Sequence, residues 1–209
     1  MFLSKVEMDL SSLRVRSALQ DCQKMHRMIT GFFGTSREAG NILYRCRLKG
    51  TSVQLYIYSS VPMDRTCIIP GVHIVGEKDV TNWLDNMCNG DTFDFQVLAF
   101  PAKKIAIEGA KNSRRRVLRD PDERMNWLIR KGKQGGFQII HATESAGRRI
   151  YGVHSSERGG RMFIDSYCYS GRLLIIDADA FRGVVSQGIG SGRAYGLGML
   201  LLKNGTRHA

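Results

Sequence analysis

Apolar residues at Val6, Met8 and Leu10 alternate with Glu7 and Asp9, a period of two that predicts an opening strand with one buried face. The period then lengthens. Met25, Met28, Ile29, Phe32 and Phe33 follow helical spacing, with Asp21 placed to cap the helix and Gly34 to stop it, and His26 falls on the edge of the stripe. Ile42 to Leu48 and Val53 to Tyr58 read as two strands of a hairpin through Lys49-Gly50-Thr51. A weak helical pattern over Val80 to Met87 and a strand over Thr92 to Phe100, ended by Pro101, complete a β-α-β-β-α-β order. The expected first unit is residues 1–100.

The second half, residues 101–209, gives a less regular version of the same order. Pro121 to Lys131 is helical with Trp127 and Leu128 inward, and Gly135-Gly136 closes it. Phe137 to Ala142 is a strand. Tyr151 to His154 and Met162 to Tyr169 read as two arms of a hairpin around Gly159-Gly160, and Arg172 to Ile176 as a further strand. Asp177 caps a helix bearing Phe181, Val184 and Val185, and a glycine-rich run leads into an apolar strand from Met199 to Leu202. The expected fold is α+β, two tandem ferredoxin-like βαββαβ units, with a ligand in the crevice between their sheets.

Charge changes the picture more than composition does. The chain has 209 residues, 43% of them hydrophobic, enough for a buried core. Its 31 Lys and Arg against 19 Asp and Glu leave a formal charge of +12, which points to a polyanion and first to nucleic acid. No apolar run reaches a membrane-spanning length and no signal peptide is visible, so a cytoplasmic protein without a membrane partner is expected. Five scattered cysteines form no C-x-x-C pair, and neither a structural zinc nor any other metal or cofactor is expected.

The cations gather in three places: Lys103 and Lys104 with Arg114, Arg115, Arg116 and Arg119; the hairpin carrying Arg148, Arg149, Arg158 and Arg161; and Arg193 beside Gly190, Ser191 and Gly192. Each is a candidate RNA contact, the hairpin suiting a groove of duplex RNA. A plain solvated charge run is the other reading of Arg114 to Arg116. Closely spaced stacking aromatics of the RRM kind are missing, and Phe93, Phe95 and Phe100 read as core. In the run Gly188 to Leu202, GIGSGRAYGLGMLLL, the first three glycines permit positive φ and could expose successive N–H groups to a phosphate. The other reading is that they only join a helix to a strand. A dinucleotide fingerprint needs the reverse order of elements, and a P-loop needs a Lys-Ser or Lys-Thr end.

These residues resemble a known family, the CRISPR-associated endoribonuclease CasE of type I-E systems. The resemblance rests on Met1-Phe2-Leu3-Ser4-Lys5, on Met25-His26-Arg27, on FQVLAFPAKK from Phe95 to Lys104, on Asn126-Trp127-Leu128 with Gly135-Gly136-Phe137, and most specifically on the terminal glycine-rich run. It implies two tandem ferredoxin-like domains and metal-independent cleavage at the 3′ base of the CRISPR repeat stem-loop. It further implies that the mature crRNA stays bound within the interference complex, beside its other subunits. His26 matches the family's catalytic histidine. Family members can carry a tyrosine three residues earlier, where this chain has Gln23, and an asparagine is common where Phe100 stands.

Cleavage of RNA without metal needs a base for the 2′-hydroxyl proton, cations for the charge on phosphorus and an acid for the 5′-oxygen, and histidine serves as base or acid near neutrality. The products would be a 2′,3′-cyclic phosphate and a 5′-hydroxyl. The competing reading is a non-catalytic subunit that binds an RNA hairpin and assists assembly. His73, His141, His154 and His208 read as surface or strand histidines.

Overall fold

The computed structural model describes residues 1–105, 114–153 and 160–206. Lys111, His154, Arg158, Gly159 and His208 lie outside them. The chain begins with β1 (Phe2–Asp9), α1 (Leu13–Leu19), α2 (Cys22–Gly31), β2 (Leu43–Lys49), β3 (Ser52–Ser59) and β4 (Val72–Asp79). It continues with α3 (Thr81–Asp85), β5 (Thr92–Ala99), β6 (Ala102–Ile105), β7 (Arg114–Val117) and α4 (Pro121–Gln134). The last elements are β8 (Phe137–Val153), β9 (Arg161–Ile175), α5 (Ala178–Gln187) and β10 (Leu200–Thr206).

Two four-stranded antiparallel sheets result, in the orders β2-β3-β1-β4 and β10-β5-β9-β8. Counted within its own unit, each sheet runs 4-1-3-2, the ferredoxin-like arrangement expected. The strand over Thr92 to Phe100, read as the end of the first unit, pairs instead with β9 and β10. The change of sheet therefore falls between Asp79 and Thr92, not at residue 100. The first sheet takes its fourth strand from β4, whose Val72 and Ile74 alternate with His73 but whose pattern breaks at Gly76, beside the bulge at Lys5 and Val6. Between β3 and β4 the chain makes only a short 3-10 turn, Arg65–Cys67, in place of a second helix.

Asp21 accepts from the Gln23 backbone N–H at 2.8 Å and starts α2 as expected, and Met25, Ile29, Phe32 and Phe33 go into the first core with Val6, Met8 and Ile57. The second core places Trp127, Phe137, Phe181 and Val185 against Phe93, Phe95 and Tyr169. Its helix α4 is tied to β8 by Arg124, 7% exposed, whose guanidinium forks onto Glu144 at 2.6–3.0 Å and lies 4.1 Å over the Tyr167 ring. A third, small cluster of Cys22, Leu98, Ile150, Ile164 and Leu197 joins α2 to the second sheet. It seats the first helix layer on the second unit.

Four predicted strands in the second half prove to be two long ones, β8 and β9. Bulges between Ile139 and His141 and between Ala146 and Arg149 interrupt the period of two without ending the ladder.

Candidate active site

His26 sits half-buried on the outer edge of α2, and Gln23, one turn earlier, shares its face. Both look toward the 3-10 turn Arg193–Tyr195 inside the glycine-rich run. The Gln23 amide nitrogen donates to the Tyr195 phenol at 2.8 Å, and the Tyr195 ring meets the imidazole edge-on, centroids 6.5 Å apart. Below the turn, the buried Tyr44 hydroxyl donates to the Ala194 carbonyl at 3.1 Å. Beside it, Arg148 from β8 lines a recess of about 100 Å³ shared with Gln20, Cys22, Tyr44 and Tyr195.

The second bulge explains how Arg148 arrives there. It turns adjacent arginines to different partners, so that Arg149 pairs with Asp165 at 2.7 Å while Arg148 lies beside Cys46 of β2 and Cys22 of α2; the Ser166 hydroxyl closes the bulge on the Arg148 backbone at 2.6 and 3.0 Å.

Burial, and then the nearby Arg37 guanidinium, hold the His26 imidazole below the usual histidine value, against a smaller upward pull from Glu38 and the Ala194 backbone. The imidazole is therefore neutral at neutral pH. Burial pushes the Tyr195 phenol the other way, above its ordinary value, and it keeps its proton.

The crevice between the sheets is present, about 560 Å³, lined by Arg45, Arg47 and Tyr56 on one side and Gln96, His141 and Lys203 on the other. Neither His26 nor any of the predicted basic contacts lines it. His26 does not open onto that crevice, where a ligand was expected: the helix edge faces the glycine-rich turn because the α2 core stripe packs under the first sheet.

The predicted basic residues divide among separate places. Lys103 and Lys104 stand directly across a two-stranded ladder from Arg116 and Arg115, with Ile105 opposite Arg114. Lys103, Lys104, Arg115, Arg116 and Arg119 are exposed, and Lys103 reaches Glu123 at 3.2 Å. Arg161 opens β9, exposed, opposite Val153. Arg193 donates to the Gln187 carbonyl at 2.9 Å and so braces the end of α5.

Gly190 and Gly192 do hold positive φ, 73° and 79°. Their missing side chains, however, make room for this protein's own core: a Cβ would stand 2.9 Å from the Trp127 ring and 2.8 Å from Leu197. The close approach that the glycines permit is thus internal, and Ser191 between them is half-buried.

Tyr195, Arg37 and the pairing of Gln23 do not emerge from reading the sequence. Tyr195 lies in plain view within the run, but only the reversal of the chain after α5 brings it to α2.

A family model described as CRISPR associated protein matches residues 1–204. The chain belongs to this CRISPR-associated family. The CRISPR-associated endoribonuclease Cse3 of Thermus thermophilus is 23% identical over 214 residues, 96% of this chain and 98% of that protein. A structure of the CRISPR endoribonuclease Cse3 bound to 19 nt RNA superposes with a TM-score of 0.85, at 21% identity, over 98% of this chain and 100% of that one. A chain of a CRISPR RNA-guided surveillance complex, pre-nicking, gives a TM-score of 0.76 at 20% identity, over 97% and 99%. Membership of the CRISPR-associated family agrees with the resemblance carried by the terminal run and the Met25-His26-Arg27 helix. Among the described residues no helix is long and apolar enough to cross a membrane.

Proposed function

We propose that this CRISPR-associated protein is an endoribonuclease that binds the stem-loop of a CRISPR repeat and cuts at its 3′ base by attack of the adjacent 2′-hydroxyl. The observation that carries this reading is His26: an imidazole drawn below its usual value by burial and then Arg37, edge-on to the ring of Tyr195, which in turn lines a recess with Arg148. A neutral imidazole takes the 2′-hydroxyl proton; Arg37, which acts on His26, and Arg148, in the recess that Tyr195 lines, are the cations this reading assigns to the charge on phosphorus. The products would be a 2′,3′-cyclic phosphate and a 5′-hydroxyl. Among the described residues no three His, Cys, Asp or Glu side chains are gathered as metal ligands.

The β6–β7 ladder supports the binding half. Like charges directly opposite each other on a two-stranded ribbon repel, and Lys103/Arg116 and Lys104/Arg115 are two such pairs in succession. The two pairs project from opposite faces of the ribbon, and a phosphate backbone laid against either face relieves the repulsion there. Exposed Arg119 and Arg161 extend the basic surface, whereas Arg149, paired with Asp165, must exchange that partner to reach RNA. The chain's glycine-rich loop enters this proposal as the scaffold of Tyr195 and Arg193. Retention of the cut RNA and assembly with other subunits are the reading supported by the fold shared with a surveillance-complex chain. The test is incubation with the cognate repeat RNA in EDTA, followed by identification of the ends: cyclic phosphate and 5′-hydroxyl support the reading, while binding without cutting would mark a non-catalytic assembly subunit.

A further inference from the structure

Base catalysis by His26 leaves a second role unfilled. When the 2′-oxygen bonds to phosphorus, the bond from phosphorus to the 5′-oxygen breaks, and that alkoxide needs a proton. Among the described residues, the charged groups acting on His26 are Arg27, Arg37 and Glu38. Arginines do not give up protons in proteins. The Glu38 carboxylate is held below its ordinary range, first by a backbone hydrogen bond, so it carries no proton to give near neutrality. The Cys22 thiol is pushed up to about 11 by burial, but it is packed among Leu98, Ile150 and Leu197. Tyr195 remains.

We propose, on the reading of this chain as a ribonuclease, that Tyr195 is the general acid of the cleavage and that Gln23 positions it. Four observations meet on this residue. Its ring borders the same surface as the His26 ring, 6.5 Å between centroids. Gln23 supplies the donor and Tyr195 Oη the acceptor in their 2.8 Å bond, so the phenol's own proton is not used there and is free to be given. The backbone behind the ring is held by hydrogen bonds, the Tyr195 N–H donating to the Gly192 carbonyl at 2.8 Å and the Tyr44 hydroxyl to the Ala194 carbonyl. The phenol is half-buried, at the edge of the Arg148 recess.

The step balances without a further reactant. The 2′-oxygen forms a bond to phosphorus as His26 takes its proton; the bond from phosphorus to the 5′-oxygen breaks as that oxygen takes the proton of Tyr195. Imidazolium and phenolate then return to their resting forms by proton exchange with water.

A sulfur atom in place of the scissile 5′-oxygen makes a leaving group that departs without protonation, which separates a proton donor from a merely structural tyrosine. Full-length wild type, Tyr195→Phe and His26→Ala are compared in single-turnover cleavage of the repeat RNA in its oxygen and its 5′-sulfur form, with hairpin affinity and melting temperature measured alongside. Tyr195→Phe is expected to cut the oxygen substrate about 10² or more times slower than wild type, and the sulfur substrate at nearly the wild-type rate, with affinity unchanged. His26→Ala is expected to be slow on both. Equal slowing of Tyr195→Phe on both substrates, or no slowing on either, overturns the proposal while leaving the ribonuclease reading intact. Restoration of His26→Ala by sulfur would make His26 the acid and overturn it too. A wild type that cuts neither substrate would remove the ribonuclease reading, and the proposal with it.

Discussion

The amide of Gln23 and the phenol of Tyr195, 172 positions apart in the chain, are joined by a 2.8 Å hydrogen bond. One lies on a helix of the first unit and the other in the glycine-rich segment of the second. The surroundings of His26 are therefore built from both units. A double-mutant cycle of Gln23→Ala and Tyr195→Phe, read by denaturant unfolding, should give a coupling of about 1 kcal/mol, typical of one hydrogen bond. Strict additivity would show that the bond does not hold the two units together.

Gly192→Val should lower stability first. The backbone at φ 79° is unfavourable for a β-branched residue, and the new Cβ would press on Leu197 in the cluster that joins α2 to the second sheet. A loss of about 1–3 kcal/mol is expected, with RNA affinity per folded molecule largely kept. The phosphate reading of the glycines predicts the opposite order, binding before folding. Unchanged melting with abolished binding would restore the phosphate-loop reading.

The distance between those two expectations shows what is legible in the chain. Positive φ at Gly190 and Gly192 follows from residue type, because so dense a glycine run has few other uses. What approaches the loop does not follow, since Trp127 and Leu197 reach it only through tertiary packing. The α2 helix, its Asp21 cap and its core stripe are readable from period and cap chemistry. The membership of β5 is not: a strand's own pattern fixes its buried face, not the sheet it joins, and β5 finds its partners far along the chain, Ala99 opposite Tyr167 and Val97 opposite Leu200. The long β8–β9 ladder reads as fragments because its bulges mimic strand ends. His26 is identified through the resemblance, but its partner Tyr195 is invisible to local spacing.

Replacing Arg114, Arg115 and Arg116 together by Ala should flatten the dependence of hairpin affinity on salt. Each phosphate that is no longer neutralised takes about 0.7–0.9 from the log–log slope, so a fall of about two units is expected if the ladder grips the RNA backbone. A slope and affinity equal to wild type would leave the run a solvated face.

Stability should fall with acid in a His26-dependent way. The folded state holds this imidazole below its usual value, so the unfolded chain takes up the proton first as pH drops. The folded protein therefore has its full stability above the ordinary histidine value and loses part of it as pH falls through the lower, folded one. Melting curves from about pH 8 to about pH 5 should be steeper in pH for wild type than for His26→Asn. Parallel profiles would mean that the imidazole is not held neutral.

The most direct measurement is single-turnover cleavage of the repeat hairpin in EDTA by wild type and by His26→Ala, with a substrate carrying a 2′-deoxy nucleotide just 5′ of the scissile phosphate as the third arm. Wild type should cut the all-ribose hairpin and bind the deoxy form without cutting it, because the internal nucleophile is gone. His26→Ala should bind as wild type does and cut slower by roughly 10² or more. Cleavage of the deoxy substrate, loss of activity in EDTA, or undiminished cutting by His26→Ala would each contradict the account.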